Sequence, residues 1–92
     1  MKDAFAASFF HDGVLGGAIY LKPDKVIYKT NKVTVDEKYR DLEMLYQDIV
    51  KIRTGRSLLF PTVTIVLKEG VSYKFIVFEK KKFLDRMDEL KR

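Results

Sequence analysis

Residues 16–30, Gly-Gly-Ala-Ile-Tyr-Leu-Lys-Pro-Asp-Lys-Val-Ile-Tyr-Lys-Thr, constrain the fold more than any other stretch of the chain. Two short apolar runs flank a Pro-Asp pair, and a glycine pair opens the first run. Proline presets the backbone for a turn and aspartate bonds its own backbone there, so the segment reads as a hairpin with a tight turn. Ile19 and Leu21 then face one side, with Tyr20 and Lys22 on the other. Val26 and Tyr28 face inward, and Lys25, Ile27 and Lys29 outward. Glycine inside a strand pattern marks a bulge, a bend or the close approach of another backbone, and Gly16-Gly17 is read as a bulge or bend in this first hairpin.

The same two-residue period returns between residues 62 and 78. Val63, Ile65 and Leu67 alternate with Thr62, Thr64 and Val66, and Val71, Tyr73, Phe75 and Val77 alternate with Ser72, Lys74, Ile76 and Phe78. Alternation rich in β-branched and aromatic residues predicts strands. Lys68-Glu69-Gly70 supplies the turn between them, with a glycine for positive φ. Shorter strands are expected over Ala4–His11, with a short helix as the alternative there, over 42–46 and over 49–53. Asp12-Gly13 reads as a turn. Segments 31–41 and 54–61 read as irregular connections, the first with a strand continuation around Val33 and Val35. Phe83, Leu84, Met87 and Leu90 recur instead at helical spacing, with Lys80, Lys81, Asp85, Asp88 and Glu89 on the wet face. A helix this short is marginal alone and must dock its apolar stripe on the sheet, so truncation at residue 78 is expected to unfold the chain.

Ninety-two residues make one small domain, residues 1–92, and 47% apolar content is enough for a core. With no cysteine, disulfides and thiolate metal sites are excluded. No run approaches the roughly 20 apolar residues of a membrane span, and Met1-Lys2-Asp3-Ala4-Phe5 lacks the pattern of a signal peptide. A cytoplasmic location, peripheral to a membrane at most, is the expectation. The net charge of +5 favours anionic partners. Strands followed by one helix predict a mainly β (α+β) fold, a bent antiparallel sheet or partial barrel capped by a C-terminal amphipathic helix.

In this order the segments resemble a bacterial GRAM domain, a branch of the pleckstrin-homology-like superfamily. Gly16-Gly17-Ala18-Ile19-Tyr20-Leu21-Lys22 resembles the family's opening Gly-x-Leu-x-Leu-Thr strand, with Lys22 where threonine is common. Lys25-Val26-Ile27-Tyr28-Lys29 resembles the basic-apolar-apolar-aromatic strand that follows. Leu42 to Ile49 resembles the strand that finishes with Asp-Ile, Val71 to Phe78 the late Tyr-x-Phe strand, and Phe83 to Leu90 the closing helix. The resemblance implies a pleckstrin-homology-like fold and a non-catalytic binding scaffold. Lipid-binding relatives hold phosphoinositides in a longer basic loop than Pro23-Asp24 provides. Lys22, Lys25 and Lys29 supply some charge without that full arrangement.

Enzyme chemistry is not expected. His11 is the sole histidine and sits by a turn, and Ser8, Ser57 and Ser72 have no base in a recognised motif. Asp36-Glu37 and Asp88-Glu89 read as solvated charges rather than a metal site, so no cofactor is expected. The sharpest binding candidate is residues 53–61, where Arg53 and Arg56 precede Leu58, Leu59 and Phe60. Apolar residues beside bases suit an anionic membrane surface, with Lys22 and Lys25 as further contacts and Lys51 as a further base. The bland alternative folds this stretch inward or makes it a strand extension. The alternative partner is a protein, or a second copy forming a homodimer, at an open sheet edge. Nucleic acid ranks below both. Lys80-Lys81-Lys82 reads as a solvated face, and Tyr20, Lys22, Ile27 and Lys29 lack the signature of an RNA-binding module.

Overall fold

The computed structural model describes residues 3–10, 13–30 and 40–91. Seven strands form one antiparallel sheet: β1 (Ala4–Phe10), β2 (Val14–Leu21), β3 (Lys25–Lys29), β4 (Asp41–Leu45), β5 (Ile49–Ser57), β6 (Phe60–Leu67) and β7 (Ser72–Val77). Their spatial order is β4-β3-β2-β1-β7-β6-β5. A single 3₁₀ turn, Tyr46–Asp48, joins the two outermost strands, and the helix α1 (Lys80–Lys91) closes the chain. The architecture is a curled half-barrel with one C-terminal helix, consistent with a pleckstrin-homology-like fold.

Alternation sets the faces. Ile19, Val26, Tyr28, Val63, Ile65, Phe75 and Val77 are fully buried on the concave side. Leu21 and Met87 join them there, while Leu67 and Leu84 pack against the cluster partly exposed. Phe5, Phe9, Met44 and Phe83 complete it. At its centre the Phe9, Tyr28 and Phe75 rings lie 5.1–5.5 Å apart. Ile27 lies on the outer face as its position in the strand requires, yet it is buried too. Its cross-strand neighbours there are Tyr20 and Glu43.

Gly17 explains half of the glycine pair. A Cβ at this position would collide with the Lys29 carbonyl oxygen, whereas Gly16 faces open space. The β1–β2 ladder runs through both glycines without a register shift. Gly17 therefore marks close backbone approach, Gly16 has no such neighbour, and the expected bulge is absent from the pair. The bulge lies in β5, between Ile49 and Lys51. One extra residue, the exposed Val50, turns both Ile49 and Ile52 toward the core.

The Lys22–Lys25 turn is as tight as expected, closed by the Lys22 amide donating to the Lys25 carbonyl at 2.8 Å. Residues 4–10 are strand and not helix. The largest correction concerns residues 54–61, which are not an irregular connection. β5 runs on to Ser57, Leu58-Leu59 make a two-residue turn, and β6 starts at Phe60. Asp41 belongs to β4. His11, Asp12 and the expected strand continuation at Val33 and Val35 lie outside the described residues.

α1 starts where the Phe83 amide donates to the Glu79 carbonyl at 3.0 Å. It buries Phe83 and Met87, and Phe83 meets Phe5 edge-on at 5.4 Å. The Arg86 guanidinium clamps the start of β1 through both Asp3 carboxylate oxygens, at 2.7 and 3.3 Å. These contacts fix the helix across one end of the half-barrel, its first turn beside β5 and its last beside the β2–β3 turn.

Candidate functional site

The β5–β6 hairpin ends in the most exposed apolar side chains of the described residues. Leu58 is 90% exposed and Leu59 86%. Leu58 also adopts φ 58, a left-handed conformation that glycine or asparagine normally supplies in two-residue hairpin loops. A strained backbone carrying a solvent-exposed leucine is a conformation that folding alone does not favour.

Antiparallel register places more apolar surface beside the tip. Thr62 pairs with Ile76, so Phe60 and Phe78 continue the same outer-face row. Their rings meet at 88° with centroids 6.3 Å apart, and both remain about half exposed. The chain then turns into α1 next to the hairpin, where the Lys80 ammonium reaches the Gly55 carbonyl at 3.5 Å. Lys81 and Lys82 follow on the exposed first turn, paired with Asp85 at 3.0 Å and Glu79 at 3.2 Å.

The sequence-predicted residues divide into three places. Arg56, Leu58, Leu59 and Phe60 are together at the tip. Arg53 lies opposite Thr64, five residues from Leu58, or about 17 Å along an extended strand. That exceeds the roughly 8–10 Å screening length at physiological salt, so Arg53 acts apart from the tip. Lys22 and Lys25 flank the β2–β3 turn, and β1 and β7 intervene between that hairpin and the β5–β6 hairpin. Lys25 is moreover engaged by Glu43 at 3.1 Å, and that hydrogen bond and charge push its pKa up.

Phe78 and the 80–82 lysines are the contributors that the linear sequence separates from the tip. The signal for Phe78 was the 62–78 alternation itself, because hairpin register dictates that residue 78 returns to residue 60.

Elsewhere, an open cleft of about 390 Å³ is lined by Pro23, Asp24, Leu45, Tyr46, Gln47, Leu90 and Lys91. The Tyr46 hydroxyl beside it donates to the Lys22 carbonyl at 2.8 Å. Burial, then the Asp3 carboxylate, push the Tyr46 pKa up to about 12, so the phenol stays neutral and structural. A second cleft, about 340 Å³, is lined by Asp48, Leu67, Lys68, Glu69, Val71 and Tyr73. Among the described residues neither cleft is lined by a serine, cysteine or histidine. Among the described residues no three acids or histidines cluster as metal ligands, and no helix is long and apolar enough to cross a membrane.

No family model matches the chain, and no curated protein matches it. Twenty-three chains of solved structures do match. One is the C-terminal domain of an unknown protein from Leishmania infantum, with a TM-score of 0.77 at 12% sequence identity. The match covers 98% of this chain and 83% of that one. At this identity the likeness is one of fold.

Proposed function

We propose that this chain is a non-catalytic binding module that docks on anionic membrane surfaces through its β5–β6 tip. The observation that carries the reading is the exposure of Leu58 and Leu59 on a turn that strains Leu58, next to Phe60, Phe78, Arg56 and the 80–82 lysines. The order of motifs that resembles a GRAM domain agrees with a scaffold of this kind. A cytoplasmic protein held peripherally at the membrane is the corresponding location.

The magnitudes fit weak, reversible association. Burying each leucine contributes about 1.5–3 kcal/mol. Arg56, Lys80, Lys81 and Lys82, offset by Glu79 and Asp85, leave two net charges, at about 1 kcal/mol each near an acidic surface. The total of about 5–8 kcal/mol corresponds to dissociation constants from the sub-millimolar to the micromolar range. The ionic part alone, about 2 kcal/mol, is weaker than millimolar, and the apolar part alone, about 3–6 kcal/mol, spans several millimolar to tens of micromolar.

Sedimentation with vesicles of phosphatidylglycerol and phosphatidylcholine tests this. The wild-type chain should pellet with mixed vesicles at low salt, remain in solution with pure phosphatidylcholine, and release as salt rises. Phe60→Ser combined with Arg56→Glu should abolish pelleting. Unchanged sedimentation of that variant would remove the tip from the account.

A further inference from the structure

The longest strand of the sheet is also its edge. β5 has nine residues and ends the strand order, with β6 on one side and no described strand on the other. In an antiparallel ladder every second residue turns its N–H and C=O away from its neighbour, so β5 presents outward backbone groups along its regular part, Lys51–Ser57, where one carbonyl, that of Gly55, is already reached by the Lys80 ammonium at 3.5 Å. Native edges of this length are usually blocked by charge, by proline or by a bulge. Here the bulge sits at the first residues only, and the remaining protection is charge of one sign.

That charge is uncommitted. Lys51, Arg53 and Arg56 are all exposed, and among the described residues none of the three has an ion pair or a side-chain hydrogen bond. Lys25, Lys68, Lys81, Lys82 and Arg86 each hold a carboxylate within 3.8 Å. No acid occurs between Ile49 and Lys68. Lys51 and Arg53 share one face of the strand and Arg56 takes the other, so an added strand would meet positive charge on both faces. A second copy pairing β5 with β5 would set these bases against each other, which is unfavourable.

We propose that the free edge of β5 accepts an extended acidic segment of a partner protein as an eighth, edge-added strand, with Lys51, Arg53 and Arg56 reading its carboxylates. Backbone pairing supplies the binding and the bases supply the selectivity. The site meets the hairpin tip only at Arg56, whereas Lys51 and Arg53 lie up the strand from Leu58.

Amide hydrogen exchange of the full chain tests the proposal, with three synthetic ten-residue peptides: alternating Glu and Val, alternating Lys and Val, and the Glu-Val peptide N-methylated at every residue, so that neither of its edges can donate. The Glu-Val peptide should slow exchange of alternate amides between Ile52 and Ser57. The Lys-Val and N-methylated peptides should not. Lys51→Glu with Arg53→Glu should weaken the Glu-Val peptide at least tenfold, whereas Leu58→Ser with Leu59→Ser should leave its binding unchanged. Equal binding of the N-methylated peptide would reduce the contact to charge alone and overturn strand addition. Protection that rises with protein concentration in the absence of peptide would make a second copy the occupant and also overturn it. So would the absence of any protection on β5.

Discussion

Replacing Leu58 by glycine should stabilise the fold and weaken membrane binding at the same time. Leu58 sits at φ 58 with its side chain 90% exposed. The left-handed conformation costs a non-glycine residue about 1–2 kcal/mol, and glycine removes that cost. Glycine also frees the unfolded chain, which takes back about 0.4–1 kcal/mol. The net gain is about 0.5–1 kcal/mol, a rise in Tm of about 2–8 °C for a domain of this size. No packing is lost, because the leucine touches mostly solvent. On a phosphatidylglycerol vesicle the same change forfeits about 1.5–3 kcal/mol of apolar burial, or about a 10–100-fold loss of affinity. Leu58→Asn should show the same loss of binding with a smaller gain in Tm, since asparagine tolerates this conformation. Calorimetry and vesicle titration on the same samples decide the matter. A Tm that falls, or an affinity that does not move, would refute the reasoning that the strain serves an exposed anchor.

Gly17→Ala should destabilise by about 1–3 kcal/mol, because its Cβ would press on the Lys29 carbonyl oxygen, a backbone atom that cannot rotate away. Gly16→Ala, with open space around it, should change the unfolding free energy from urea denaturation by less than about 0.5 kcal/mol. Tyr46 makes stability fall in alkali. Its folded pKa of about 12 exceeds the unfolded value of about 10, so its contribution is constant below pH 10 and is lost between pH 10 and 12. Tyr46→Phe should be less stable at neutral pH, for want of the bond to the Lys22 carbonyl, and should lose stability less steeply when urea midpoints are followed from pH 8 to 11.5.

The strands were legible where alternation and turn chemistry agreed. Ile19, Leu21, Val26 and Tyr28 announced their faces, and Pro23-Asp24 and Gly70 announced their turns. The hairpin at residues 49–67 was harder to read. Its turn residues are Leu58-Leu59, which carry no turn propensity, and Pro61 lowers the expectation of a strand. Pro61 is tolerated because the β6–β7 ladder begins only at Thr62. The bulge at Val50 also breaks the period, so that Ile49 and Ile52 share a face although three positions separate them. The candidate site was half legible for the same reason. Leu58, Leu59, Phe60 and Arg56 are contiguous enough to be seen together. Phe78 and Lys80 join them only through pairing across β6 and β7, and strand length alone moves Arg53 away.

Entry of the β5–β6 tip into an anionic membrane surface, the proposed mode of docking, is directly observable. The chain has no tryptophan, so Leu59→Trp places a single reporter on that tip, at a site 86% exposed. Its fluorescence should match that of tryptophan in water for the free protein and with phosphatidylcholine vesicles. On phosphatidylglycerol vesicles at low salt it should shift to the blue and be quenched by brominated acyl chains, and both effects should reverse with added salt. Emission that stays water-like while the protein sits on those vesicles would contradict the account, because a surface other than the tip would then be making the contact.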